Sequence, residues 1–118
     1  MMDSILLGAL GEQLAAKYLR YNKYEIKAAN FKTYTGEIDI IALKEGVLCF
    51  IEVKTRQIGG MTPPADAVNI HKQENIKSAA SVYMNKWAPV FKDFRFDIIE
   101  VFVEGKELQK LNHIKNAF

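Results

Sequence analysis

Residues 37–55 read EIDIIALKEGVLCFIEVKT, and this stretch decides the fold. Glu37–Leu43 and Val47–Thr55 are rich in β-branched and aromatic residues, as strands are. The short Lys44-Glu45-Gly46 between them reads as a hairpin turn. If Glu45-Gly46 is a two-residue loop, paired positions sum to 91, which sets Asp39 opposite Glu52 and Glu37 opposite Lys54. Side chains alternate along a strand, so these four residues share one face with Ile41, Leu48 and Phe50. The other face carries Ile38, Ile40, Cys49, Ile51 and Val53. Strands apolar on both faces are covered on both sides, so the pair is predicted at the centre of a sheet.

Two carboxylates opposed inside such a pair repel each other, and desolvation adds to the cost. Three things can offset it. The pair can share a proton, leaving one carboxyl neutral. Lys54, with or without Arg56, can neutralise part of the charge. A divalent cation such as Mg²⁺ can bind both oxygens and keep several waters. A Glu-x-Lys on a strand is also common as a plain cross-strand ion pair. The upstream Gly36-Glu37-Ile38-Asp39, at hairpin distance and matching parity, brings the metal level with the plain ion pair, and the residues alone leave both open. A metal with open water positions suits phosphodiester hydrolysis, and a lysine beside it can hold the attacking water or offset charge in the transition state.

Outward from the hairpin, Leu7, Leu10, Leu14 and Tyr18 recur at helical spacing with Ala15 and Leu19 beside them. They predict a helix from Ser4 to about Tyr21, with Asp3 or Ser4 as N-cap and an exit at Asn22-Lys23. Tyr24–Asn30 is a weaker strand. Gln57–Pro64, with two glycines and two prolines, reads as a mobile loop. Ile76, Ala79, Ala80, Tyr83, Met84 and Trp87 mark a second helix from about Asp66 to Trp87, with Trp87 capping its apolar face. Phe94–Val103 is another strand, and the tail from Leu108 to Phe118 a final strand or a docked extension. Helix, three strands, helix, strand gives an α/β chain with a mixed sheet flanked by helices. At 118 residues without a linker, one domain over 1–118 is expected.

Other residues enter with a functional and a plain reading. Glu12 has Gly8, Ala15, Ala16 and Leu19 as helical neighbours, so it either borders a buried interface or stands in water at the helix edge. Lys72 and Gln73 sit one turn before Ile76, able to reach a phosphate or the active-site edge, or simply forming the helix's polar border. His71 and His113 lack a metal-ligand spacing, and Cys49 is expected in the core. Asp97 shares a face with Arg95, which predicts a structural ion pair. A net charge of +2 decides little about nucleic acid, although Lys54 and Arg56, and Lys72 and Lys77, are grouped. No apolar run approaches the roughly 20 residues of a membrane span. With one cysteine and a poor signal-like start, the cytoplasm is the expected compartment.

The ordered set Gly11-Glu12 with Ala15, Asn30, Gly36-Glu37-Ile38-Asp39, Phe50-Ile51-Glu52-Val53-Lys54-Thr55-Arg56, Lys72, Ala79-Ala80, Arg95–Ile99 and Asn116-Ala117-Phe118 resembles the YraN-like family over essentially the full length. These are small bacterial proteins regarded as endonucleases related to archaeal Holliday junction resolvases. The resemblance implies the PD-(D/E)xK superfamily, a restriction-endonuclease-like fold with an αβββαβ core. It further implies that Asp39, Glu52 and the Val53 carbonyl bind Mg²⁺ or Mn²⁺. Lys54 would assist the water and Glu12 would be the helical glutamate of resolvase-like members. The expected reaction is hydrolysis of DNA phosphodiester bonds, on branched or damaged DNA, with Arg56, Lys72 and Gln73 as candidate nucleic-acid contacts. A homodimer is implied, since resolvase-like members cut two strands symmetrically. Ile38 stands where many members have proline. The competing expectation is a non-catalytic nucleic-acid-binding or protein-interaction module that keeps the fold.

Overall fold

A computed structural model describes residues 2–59, 68–87 and 89–118. Helix α1, Ser4–Tyr21, starts at Asp3, whose carboxylate accepts the Leu6 N–H at 2.8 Å. It ends at Asn22, after which Lys23 takes a positive φ. Strands β1 (Glu25–Lys32), β2 (Glu37–Lys44) and β3 (Val47–Gln57) follow, then helix α2 (Ile70–Trp87), β4 (Asp93–Glu104) and β5 (Glu107–Ile114). The strands form one sheet in the order β1-β2-β3-β4-β5. Only β3 and β4 run parallel, joined across one face by α2, so the sheet is mixed as expected. The architecture is α/β and compatible with a restriction-endonuclease-like fold, with β5 added to the αβββαβ core.

The hairpin register is the predicted one. Lys44–Val47, Leu43–Leu48, Ala42–Cys49, Ile41–Phe50 and Ile40–Ile51 are paired, and Glu45 and Gly46 both take positive φ in a two-residue turn. Both faces are covered. Under α1 lie Ala15, Leu19, Ile40, Ala42, Cys49, Ile51, Ile99, Val101 and Val103. Under α2 lie Ile41, Leu48, Phe50, Phe96, Ile76, Ala79, Ala80 and Tyr83. This two-sided burial is why β2 and β3 read as continuous apolar runs. Cys49 is fully buried, and burial pushes its thiol up to about 11.

The second helix starts later than its apolar pattern suggested. Asn69 caps it, its side-chain oxygen accepting the Lys72 N–H at 2.9 Å and its carbonyl the Gln73 N–H. The predicted start near Asp66, and the predicted loop from position 60 onward, lie outside the described residues. Trp87 does not cap the apolar face: it is 60% exposed, and Tyr83 and Met84 end the stripe.

The tail is both of the things expected of it. β5 pairs antiparallel with β4, and beyond it Ala117 donates its N–H to the Phe96 carbonyl while Phe118 stacks on the Phe96 ring. This edge is anchored by Asp97, fully buried, which accepts hydrogen bonds from Arg95 Nε at 3.0 Å and the Asn116 N–H at 3.1 Å, with His113 Nε2 at 2.7 Å. Tyr18 bonds His113 Nδ1, and Arg95 donates to the Tyr24 hydroxyl. Burial raises the Asp97 carboxyl, but its hydrogen bonds and the Arg95 charge outweigh that, and it stays below the ordinary range. The expected Arg95–Asp97 pair therefore exists inside a larger network tying α1 to β4 and β5.

Candidate active site at the β2–β3 fork

The β2–β3 ladder stops at Ile40–Ile51. Below that point the strands part, and Glu37 pairs with Lys32 of β1, not with Lys54 as the extended register would have it. The cause is local to Asp39. Asn30 of β1 takes a left-handed φ of 51°, and the β1–β2 ladder passes from Ala29–Ile40 to Phe31–Ile38 with no pair at Asn30 and Asp39. Alternation breaks there, so Ile38 joins the cluster under α2 while Ile40 lies under α1. This corrects the expectation that Ile38 shares the Ile40 face. Asp39 sits at the break, and its carboxylate takes the place of a ladder acceptor: Val53 donates its N–H to Asp39 Oδ2 at 2.8 Å. A strand residue presents N–H and C=O to the same neighbour, so the Val53 carbonyl also faces this gap.

Two glycines hold the helices against the fork. A Cβ on Gly11 would lie 1.8 Å from Thr55 Oγ1, so only glycine lets α1 approach β3 where Glu12 follows. A Cβ on Gly36 would lie 2.3 Å from the Asn75 carbonyl oxygen, so the β1–β2 turn seats directly on α2. Thr35 and Ser78 hydroxyls meet across the same contact at 2.9 Å.

Three acidic side chains, Glu12, Asp39 and Glu52, act on one another's charge here, although Asp39 and Glu52 are not the directly opposed ladder pair that the hairpin arithmetic gave. Asp39 and Glu52 are within hydrogen-bonding reach of each other, and Glu52 is 7% exposed. Burial first, then the Glu52 charge, raises the Asp39 carboxyl from 3.8 to about 7, against the opposing pull of the Val53 N–H. Glu12 is also raised, by burial and then by Glu37 and Glu52, with an Asn30 hydrogen bond opposing. Around them stand the cations. Lys72 Nζ lies 2.9 Å from Glu52 Oε1. Burial opposes charge on Lys72, but Glu52 outweighs it and its pKa is raised. Lys54 is lowered by burial and by the neighbouring Lys72 and Arg56 charges, with Glu52 opposing. Arg56 Nε and Nη2 are buried and find no hydrogen-bond partner among the described residues.

Gln73 is not part of this constellation; its side chain donates to the Val68 carbonyl at the start of α2. Lys72 does reach the active-site edge, as the sequence allowed, but its partner Glu52 was not named there, and Asn30 was assigned no role. The latter carried a signal, since asparagine is one of the few residues that tolerates a left-handed backbone. A surface concavity of about 620 Å³ lined by Met2, Leu6, Ile58 and Lys106 contains none of the site residues.

The donor set suits a hard cation. One buried and one half-buried carboxylate with a carbonyl, the Asp39 carboxyl pushed up by burial and by the Glu52 charge, match the one or two carboxylates that Mg²⁺ uses while keeping its waters. Among the described residues no three His, Cys, Asp or Glu side chains are grouped so as to hold a metal ion, so a cation here would rest on the carboxylate pair, the carbonyl and water. Among the same residues no helix is long and apolar enough to cross a membrane.

The sequence model of a family described as "Uncharacterised protein family UPF0102" matches residues 11–101. The chain is 45% identical to a UPF0102 protein of Caldanaerobacter subterraneus subsp. tengcongensis over 116 residues, covering 95% of this chain and 93% of that one. It is 43% identical to a UPF0102 protein of Acetivibrio thermocellus, covering 94% of this chain and 89% of that one. It is also 43% identical to a UPF0102 protein of Chlorobaculum parvum, covering 95% and 91% respectively.

Proposed function

The chain belongs to the uncharacterised protein family UPF0102, and from that premise we propose that it is a Mg²⁺- or Mn²⁺-dependent endonuclease hydrolysing DNA phosphodiester bonds. The observation that carries the reading is the fork itself. The sheet opens at one place, and there it gathers Asp39, Glu52 and the Val53 backbone, with Glu12 from α1 and Lys54, Arg56 and Lys72 around them. Asp39, Glu52 and the Val53 carbonyl would hold the cation. When bound it would acidify a water and offset charge on a phosphoryl oxygen.

The chain's own residues do the rest. Lys54, half-buried with a pKa lowered by burial and by the Lys72 charge, is suited to hold the attacking water. Glu12 borders the pair, near enough for the Glu52 charge to act on it. Arg56 presents buried N–H groups without an acceptor among the described residues, and guanidinium matches a phosphate bidentately. Branched or damaged DNA is the substrate class that the resemblance to resolvases favours, with a homodimer delivering two cuts.

One observation favours a second reading. Lys72 already neutralises part of the acidic pair, as a non-catalytic nucleic-acid-binding module could use it. The experiment separates the two. Purified protein is incubated with junction, flap, single-stranded and duplex DNA, with and without Mg²⁺ or Mn²⁺. Metal-dependent cleavage lost in Asp39→Ala and Glu52→Ala supports the nuclease. DNA binding that ignores metal and survives Glu52→Ala, without cleavage, supports the module.

A further inference from the structure

We propose that Lys72 is a built-in counter-cation for the acidic pair: an incoming divalent metal displaces it, and the freed ammonium then engages a DNA phosphate. This inference rests on the metal-site reading above and adds to it an order of events. It makes metal entry and DNA binding two consequences of one side-chain movement.

The geometry distinguishes the movable partner from the fixed one. Glu52 is a β3 side chain 8% exposed, whereas the Lys72 side chain that reaches it is 45% exposed. Lys72 stands on the first turn of α2, whose position is fixed by the Asn69 cap and by the Gly36 contact with Asn75. Its backbone is therefore held while its flexible four-carbon stem is free to turn outward. A lysine supplies a compact point charge, which is the part of a metal ion's role that it can imitate.

The neutralisation it provides is incomplete. Among the described residues the ion pair of Lys72 is with Glu52, and Asp39 has no ion-pair partner. A divalent ion bridging both carboxylates would supply what one ammonium cannot, and it would repel the ammonium from Glu52. Lys54 is the third party. Its ammonium and that of Lys72 repel, so outward movement of Lys72 relieves that repulsion as well. Once out, Lys72 joins Lys54 and Arg56 on the side from which a phosphate would approach.

Mn²⁺ binding is measured by calorimetry, at fixed ionic strength, for the wild type and for Lys72→Met, Lys72→Gln, Lys77→Met and Glu52→Gln. Lys77 is the control: its ammonium lies over the Phe96 and Phe118 rings and makes no ion pair with Glu52. Lys72→Met and Lys72→Gln are expected to bind Mn²⁺ about tenfold more tightly than wild type. Lys77→Met should match wild type, and Glu52→Gln should lose binding. In parallel, the affinity for a forked duplex is measured with Ca²⁺ and with chelator. Metal should strengthen wild-type DNA binding by a larger factor than it strengthens that of Lys72→Met. Equal Mn²⁺ affinity in wild type and both Lys72 variants overturns the inference and leaves the nuclease reading standing. An equal gain in Lys77→Met reduces the effect to net charge and also overturns it. Absence of Mn²⁺ binding in every form overturns both.

Discussion

Replacing Asp39 by asparagine should make the metal-free protein more stable at pH 8, and the gain should vanish toward pH 4. In the unfolded chain an aspartate ionises near 3.9, whereas in the fold Asp39 holds its proton up to about 7. Between those values the unfolded state binds fewer protons than the folded one, so the stability of the fold falls as pH rises. The loss is absent below pH 4 and complete above pH 7. At 1.36 kcal/mol per pH unit over roughly three units, its ceiling is about 4 kcal/mol. Asp39 is only partly enclosed and can pass the proton to Glu52, so an observed gain of about 2 kcal/mol is expected. Asparagine keeps an oxygen for the Val53 N–H and keeps the volume, so little else changes. For a chain of this size the gain corresponds to about 8 °C in melting temperature. Thermal unfolding of both proteins is followed from pH 4 to pH 9 in chelator, then repeated at pH 8 in millimolar Mn²⁺. Metal should raise the wild type and leave Asp39→Asn nearly unmoved, because a ligand of the folded state stabilises only the form that binds it. A variant no more stable than wild type at pH 8, or a gain equally large at pH 4, would refute the reasoning.

Three further outcomes follow from other contacts. Gly11→Ala should destabilise the fold by about 1–3 kcal/mol, read as a lowered urea midpoint, because its Cβ would overlap Thr55 Oγ1 and push α1 off β3. Asp97→Ala should cost about 3–5 kcal/mol by the same measurement, since it strands Arg95 and His113 in a buried site. Because the Asp97 carboxyl is held below its ordinary range, its stabilising share is present above pH 4 and lost as pH falls through the lowered value, so this cost should shrink in acid. Lys54→Met should reduce cleavage by about 100-fold or more while calorimetric Mn²⁺ affinity stays within a few-fold of wild type, the pattern of a group that serves the water and not the metal.

The sequence by itself determined the elements and the pairing of the hairpin. Glu45-Gly46 fixes a two-residue turn, and a two-residue turn fixes the register from Lys44–Val47 to Ile40–Ile51. Strand period and helix period are local properties, so β2, β3, α1 and the face of α2 were legible, as was the meeting of Asp39 with Glu52. Past Ile40 local rules stopped applying. There a left-handed Asn30 on a different strand removes a ladder pair, turns Ile38 under α2 and sends the Asp39 carboxylate to the Val53 N–H. Parity counted along β2 alone has no term for such an event on its neighbour. The start of α2 was misplaced for a similar reason. An apolar stripe marks which face is buried, whereas Asn69 decides where the backbone begins to coil. Only the tertiary structure decided that Lys72, twenty residues beyond Glu52 in the chain, lies against it. That contact depends on how closely α2 packs on the sheet at Gly36, a distance set by the absence of a side chain and by the partner it meets. The hairpin carries Asp39 and Glu52 with Lys54 and Arg56; the packing of α2 on the sheet added Lys72.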